Sequence, residues 1–317
     1  MYEENTFELN KTAISNLEGI LHDMGKLHEQ AVCEISFAAE TLATDAISLL
    51  DSGMTVNELI SFLSEELHFP SVLPEDDVPS LTEDNVRGFL SQSSNLNRVV
   101  FASLFNKRLF ERGVNVSESD YLPSAESEET FTFVKNLLSD EAFDVFSQEF
   151  SDPRIVYADS FKDACQRVSD GRVGYCILPF EEKGGARINS ICELIEANDL
   201  KIVAITPVFG LEGNADMKYA LVGRGFVIPE SDEATDRYLE IDIVKNSSIT
   251  MGDLVSAAEY LGISVYSIDT SVRDAAGGGF TYTVIFKDSN RSFTDLLTYL
   301  NLFAGNYSPV GIYKNIE

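Results

Sequence analysis

Residues 178–187, Leu-Pro-Phe-Glu-Glu-Lys-Gly-Gly-Ala-Arg, place two carboxylates, two cations and a glycine pair within one short stretch. The apolar run VGYCIL precedes it, and NSICELIEAND follows with apolar residues at helical spacing. The pattern reads as a strand, a charged turn and two glycines opening a helix. Glycines let backbone N–H groups converge, and a helix N-terminus favours negative charge, so such a loop suits an anionic metabolite. On that reading Gly184 and Gly185 offer amides, while Lys183 and Arg187 balance charge. A second reading is a tight turn in which Glu181 and Glu182 satisfy the helix N-terminus internally. Lys218, at a strand end, is a candidate carboxylate partner or a solvated lysine.

Other chemistries find little material. His22 and His28 are six residues apart and would face different sides of a helix, and His68 is distant, so no metal site is expected. Cys33, Cys165, Cys176 and Cys192 show no CxxC spacing and read as inert thiols. No Walker-type or dinucleotide glycine pattern occurs, and no cofactor is expected. Gly277-Gly278-Gly279 joins two strands and reads as a hairpin turn.

The net charge of −29 argues against nucleic acid, which needs a basic surface, and against anionic membranes. No apolar run approaches the roughly 20 residues of a transmembrane helix. The acidic start MYEENTFELN lacks a signal-peptide pattern, so a cytoplasmic protein is expected. Before Arg87 the only cations are Lys11 and Lys26.

Three segments must position these residues. From Phe7 to about Leu50, Ile14, Leu17, Leu21, Met24, His28, Ala31, Ile35, Ala38, Leu42, Ala46 and Leu49 recur in steps of three and four. That predicts a helix of roughly 60 Å whose apolar seam needs partner helices or a second chain. Ser52-Gly53 stops it, and Thr55 with Glu58 forms a capping box for a second helix. Beyond a loop punctuated by Pro70, Pro74 and Pro79, with Thr82 as a candidate cap, two more helices are expected, the last near 96–112. An acidic stretch, Ser117 to Glu129, reads as a linker.

Strands then alternate with helices, which predicts an α/β lobe with a largely parallel sheet. From Tyr238 the order becomes strand, helix, strand, strand, helix, strand, the βαββαβ plan of ferredoxin-like units. The fold class expected is therefore multidomain: a helical domain at 1–127, an α/β lobe at 128–228 and an α+β unit at 229–317.

The order of elements over roughly 128–317 resembles the prephenate dehydratase family, whose catalytic domain is followed by an ACT regulatory domain. Pro179-Phe180-Glu181-Glu182-Lys183-Gly184-Gly185 is similar to the family's Pro-Ile-Glu-Asn-Ser-x-x-Gly loop. Cys192-Glu193-Leu194-Ile195 through Leu200-Lys201-Ile202 resembles the stretch that follows it. Met217-Lys218-Tyr219 stands where the family carries Thr-Arg-Phe. A thioether cannot donate the proton that the family's threonine hydroxyl supplies as the substrate loses its ring hydroxyl and CO₂. The family also inserts a second lobe before that triplet, and here only TPVFGLEGNAD, Thr206 to Asp216, occupies the gap.

In the ACT-like part, Met251-Gly252-Asp253-Leu254 resembles the family's Gly-Ala-Leu turn. Ile268-Asp269-Thr270-Ser271-Val272 stands at the effector motif without its Arg and Pro. The resemblance thus makes Gly252, Asp253, Leu254 and Asp269 effector candidates and implies side-by-side dimers. The helical start is similar in order to bifunctional enzymes with a chorismate mutase domain. Its long helix, however, has no arginine to fork onto a dicarboxylate. The resemblance, with these departures from it, implies a non-catalytic protein of phenylalanine metabolism that binds a small anionic or amino-acid ligand and forms homo-oligomers. The alternatives are an active dehydratase with a rearranged site and an assembly protein built on the long helix.

Overall fold

In the computed structural model, residues 11–66, 83–125, 127–209, 215–230, 235–244, 249–272, 280–288 and 292–316 are described. The proline-punctuated loop, Thr82, His68 and the Gly277–Gly279 turn lie outside them.

The chain begins with α1 (Lys11–Asp51), α2 (Val56–Glu66) and α3 (Glu83–Glu111). Gly53, at φ 102°, follows the end of α1. The Thr55 backbone and hydroxyl both donate to Glu58 (2.8 Å), and the Glu58 amide donates back to Thr55 Oγ1. Where two helices were expected after residue 82, one continuous 29-residue helix runs to Glu111. The polar run between the apolar stretches stays helical because no proline or cap interrupts it. Ala39, Ala43 and Ala46, at helical spacing, let α1 approach the Phe105 and Leu109 side of α3 closely. The seam is one residue off the expected position here, since Ala39 is buried and Ala38 exposed.

The start of the acidic stretch is ordered into the core rather than being plain linker. Four of its residues form α4 (Glu118–Tyr121), whose Glu118 and Tyr121 are buried. Glu118 pairs with buried Arg237 and accepts the Phe293 amide at 2.7 Å, and the Tyr121 hydroxyl meets that of Thr298 at 2.6 Å. A buried carboxylate needs such partners.

There follow β1 (Thr130–Val134), α5 (Leu137–Phe146), β2 (Arg154–Ala158), α6 (Phe161–Ser169), β3 (Tyr175–Glu182), α7 (Asn189–Ala197), β4 (Lys201–Phe209) and β5 (Ala215–Gly223). Then come β6 (Arg237–Val244), α8 (Met251–Leu261), β7 (Ser264–Val272), β8 (Phe280–Asp288), α9 (Thr294–Phe303) and β9 (Tyr307–Asn315). Among the described residues, nine strands join one sheet in the order β2-β1-β3-β5-β4-β9-β6-β8-β7. The sheet is mixed rather than largely parallel: β1–β2, β1–β3 and β4–β9 are parallel, and the other pairings are antiparallel. The reason is local, because β4 and β5 pair directly as antiparallel neighbours.

Period-two alternation sorts the side chains between layers. On β3, Cys176, Leu178 and Phe180 pack with α6 and α7, while Tyr175 and Ile177 pack with Phe131, Phe133 and α5. On β6, Leu239, Ile241 and Ile243 face a core shared by α8, α9 and the first three helices. The pairing of β4 with β9 carries the sheet across position 228. Gly311 makes it close-fitting: a Cβ there would stand 2.7 Å from the Ile202 Cβ and carbonyl oxygen.

Candidate functional site

The sequence candidates meet where β3 and β5 run side by side. Their register sets Glu181 opposite Lys218 and Glu182 opposite Met217. Lys218 Nζ lies 2.6 Å from a Glu181 oxygen, with the carboxylate the better buried of the two. Met217 is half-buried against the core beneath α5. Tyr219, next on the strand, is buried beside Asn136, and burial pushes its phenol up so that it stays protonated. Asn136 and Ser139 cap α5 reciprocally, at 3.0 and 3.1 Å.

The glycine pair does not open the helix. Strand β3 runs on to Glu182, and the chain folds back on itself through hydrogen bonds from the Glu182 amide to Ala186 O and the Gly185 amide to Glu182 O. The backbones of Glu181 and Arg187 then pair in a single antiparallel β-bridge, and α7 begins only at Asn189 with no side-chain cap. Neither Glu181 nor Glu182 caps it. Gly184 and Gly185 have φ of 103° and 86°, and a Cβ on either would meet nothing within 4 Å. Their role is therefore backbone reversal, with the turn standing open to solvent. Lys183 is exposed.

Arg187 points into the protein. Its guanidinium forks onto Glu240 at 2.5 and 2.8 Å and stacks over the Phe180 ring at 4.8 Å. Glu240 is 1% exposed and also accepts the Tyr313 hydroxyl at 3.0 Å. Burial opposes the charge on Arg187, but Glu240 outweighs it and holds the guanidinium ionised. Burial and the neighbouring carboxylate together push Tyr313 far up.

Sequence reasoning missed Glu240, Tyr313 and Asp242. The signal was present in Tyr-Leu-Glu-Ile-Asp-Ile-Val. Alternation puts Tyr238, Glu240 and Asp242 on one face and only apolar residues on the other. Two carboxylates on the inner face of a central strand require partners from elsewhere.

The effector candidates separate. Asp253 is the third residue of α8, its carboxylate accepting from the Thr250 amide and hydroxyl at 2.8 Å, and its carbonyl accepts from Asn95 on α3. Leu254 is fully buried in the core. Gly252 and Asp269 are exposed on different elements. Cys165 and Cys176 are buried, Cys33 is exposed, and none of the four is in a disulfide. Among the described residues no group of three or more His, Cys, Asp or Glu can hold a metal ion, and no helix is long and apolar enough to cross a membrane.

No protein-family model and no curated protein matches this sequence. Among solved structures, the chain is similar to GqqA, described as a novel type of quorum quenching acylase, at 14% identity and a TM-score of 0.44, over 59% of this chain and 95% of that one. It is similar to prephenate dehydratase from Streptococcus mutans at 11% identity and 0.44, over 59% and 99% of the two chains. The prephenate dehydratase of Arthrobacter aurescens, in complex with L-Phe, matches at 13% and 0.44, over 58% and 89%.

Proposed function

We propose that this chain is a non-catalytic relative of the prephenate dehydratases, acting in ligand binding or regulation in aromatic amino-acid metabolism. The reading starts from the sequence resemblance, including the division at 127 and 228 and the ACT-like character of the last segment. One observation carries its non-catalytic part: Lys218 is held 2.6 Å from Glu181 beside Met217. The cation that would meet a substrate carboxylate is neutralised by the strand next to it, and the adjacent side chain has no hydroxyl to lend. Arg187, the second cation expected at the loop, is forked onto Glu240. Of the effector candidates, Gly252 and Asp269 remain exposed for a ligand, whereas Asp253 and Leu254 serve α8 and the core.

Steady-state assay of the purified chain with prephenate tests this directly. No phenylpyruvate above the uncatalysed rate is expected, and Met217→Thr is not expected to create any. Turnover by the native chain that is lost in Glu181→Ala would overturn the reading in favour of an active dehydratase.

A homo-oligomer belongs to the same proposal. Phe37 on α1 and Phe110 on α3 are 74% and 67% exposed, and large apolar side chains left in water suit contact with a second copy. Sedimentation at micromolar concentration that gives only monomer contradicts it.

A further inference from the structure

Two buried thiols meet on the face of the sheet that α6 covers. Cys165 lies in the middle of α6, Cys176 is the second residue of β3, and both are fully buried. They belong to the same packed cluster, and the two thiols hydrogen bond to each other. The register of β1 against β3 sets Thr132 beside Cys176. Alternation turns Thr132 to the α6 face, since Phe131 and Phe133 take the α5 face. The Thr132 hydroxyl is buried and, among the described residues, has no hydrogen-bond partner.

The two sulfurs are unequal. The hydrogen bond from Cys176 holds the Cys165 thiol below its ordinary range, whereas burial pushes the Cys176 thiol well above its own. Cys165 is therefore the better nucleophile, because the thiolate and not the thiol attacks. Cys176 stands in contact as the resolving partner, and the Thr132 hydroxyl can donate to charge that develops on sulfur. Access comes through α6 itself. It is a nine-residue helix lying over β1, β2 and β3 at the side of the sheet where β2 is the edge. Its outer residues Lys162, Gln166 and Ser169 are exposed. A short peripheral element of this kind opens locally at less cost than the whole fold.

We propose that Cys165 and Cys176 are a reversible redox pair that a peroxide closes into a disulfide. The Cys165 sulfur attacks one peroxide oxygen, and an S–O bond forms as the O–O bond breaks. The departing hydroxide takes the thiol proton and leaves as water. Cys176 then attacks the sulfenic sulfur to form the S–S bond, and the S–O bond breaks to release a second water with the Cys176 proton. Two thiols and one peroxide thus give one disulfide and two waters. The bridge ties α6 to β3 and prevents the helix from opening, and a dithiol reductant reverses it by exchange. The proposal stands independently of the dehydratase-like reading.

The test is treatment of the full chain with hydrogen peroxide, followed by denaturation, alkylation and peptide mass mapping. The expected product is a peptide pair joined through Cys165 and Cys176, lighter by two hydrogens and separated again by dithiothreitol. Cys33 is exposed and Cys192 half-buried, so Cys33→Ser with Cys192→Ser removes the competing thiols. In that variant the thiols titrated in denaturant should fall from two per chain to none. Cys176→Ala should leave Cys165 as a sulfenic acid that dimedone traps, while Cys165→Ala should leave Cys176 reduced. Two thiols that only fill the core would show neither behaviour. Recovery of both Cys165 and Cys176 as reduced thiols after Cys33 has been oxidised overturns the proposal. So does Cys165 carried on to sulfinic acid with no bridge to Cys176, or a disulfide formed only between copies through Cys33. The map of the native chain gives this answer even where a variant fails to fold.

Discussion

Strand β6 touches two very different neighbours. Its Leu239, Ile241 and Ile243 face enters a continuous apolar core with α8, α9 and the N-terminal helices. Its Tyr238, Glu240 and Asp242 face meets the α/β layer through an arginine fork and a tyrosine hydroxyl, set beside the apolar packing of Tyr238 and Tyr313. The first junction is sealed by side chains that need no particular partner, so its strength grows with the apolar area removed from water. The second depends on geometry, because each buried charge costs free energy unless its own counter-charge is present. The ion pair at the second junction adds little net stability of its own, although breaking it is costly.

This contrast orders the effects of substitution. Phe105→Ala, in the apolar junction, should be the most damaging, at about 3–5 kcal/mol, because the residue is fully buried and its neighbours cannot close the space. Denaturant titration with an unchanged slope is the measurement. A loss below about 1 kcal/mol would show that the helices are not part of the same cooperative core.

Glu240→Ala should cost roughly 3 kcal/mol, the low end for a broken buried pair, since Arg187 keeps 15% exposure and its stack on Phe180. The sharper test is compensation. Replacing both partners, as Arg187→Met with Glu240→Leu, should recover most of that loss. No comparable rescue is available in the apolar junction. If the double variant is as unstable as the single one, the fork contributes more than charge balance and the contrast fails.

Lys218→Ala should be the mildest, below about 1 kcal/mol, because the lysine is more than a third exposed and water screens the pair. Its effect should shrink further with added salt. A loss as large as that of Glu240→Ala would mean that the Glu181–Lys218 pair, and not the Arg187 fork, ties the α/β layer together.

Of the candidate site, the pairing of Glu181 with Lys218 was half legible. Both residues stood out by type, and only the register of β3 against β5 made them partners. The glycine pair misled because a strand–glycine–helix string does not say where the helix starts. Two backbone hydrogen bonds that turn the chain back on itself move that start four residues on from Gly185. Glu118 misled in the other direction, since an acidic run gives no sign that one of its members will be buried.

What the sequence determined alone is what residues a few positions apart decide together. The end of α1 at Gly53, the Thr55–Glu58 cap, the alternation along β3 and β6 and the βαββαβ order all depend on hydrogen bonds or periodicities of about four residues or fewer. The tertiary structure decided everything whose partner is remote. Arg187 finds Glu240 across 53 positions and Arg237 finds Glu118 across 119. The sheet closes over position 228 because β9 can lie against β4, and it can do so only because Gly311 has no side chain to collide with Ile202. Charge and size are visible in a sequence, but the partner of a buried charge is selected by which strands pack together.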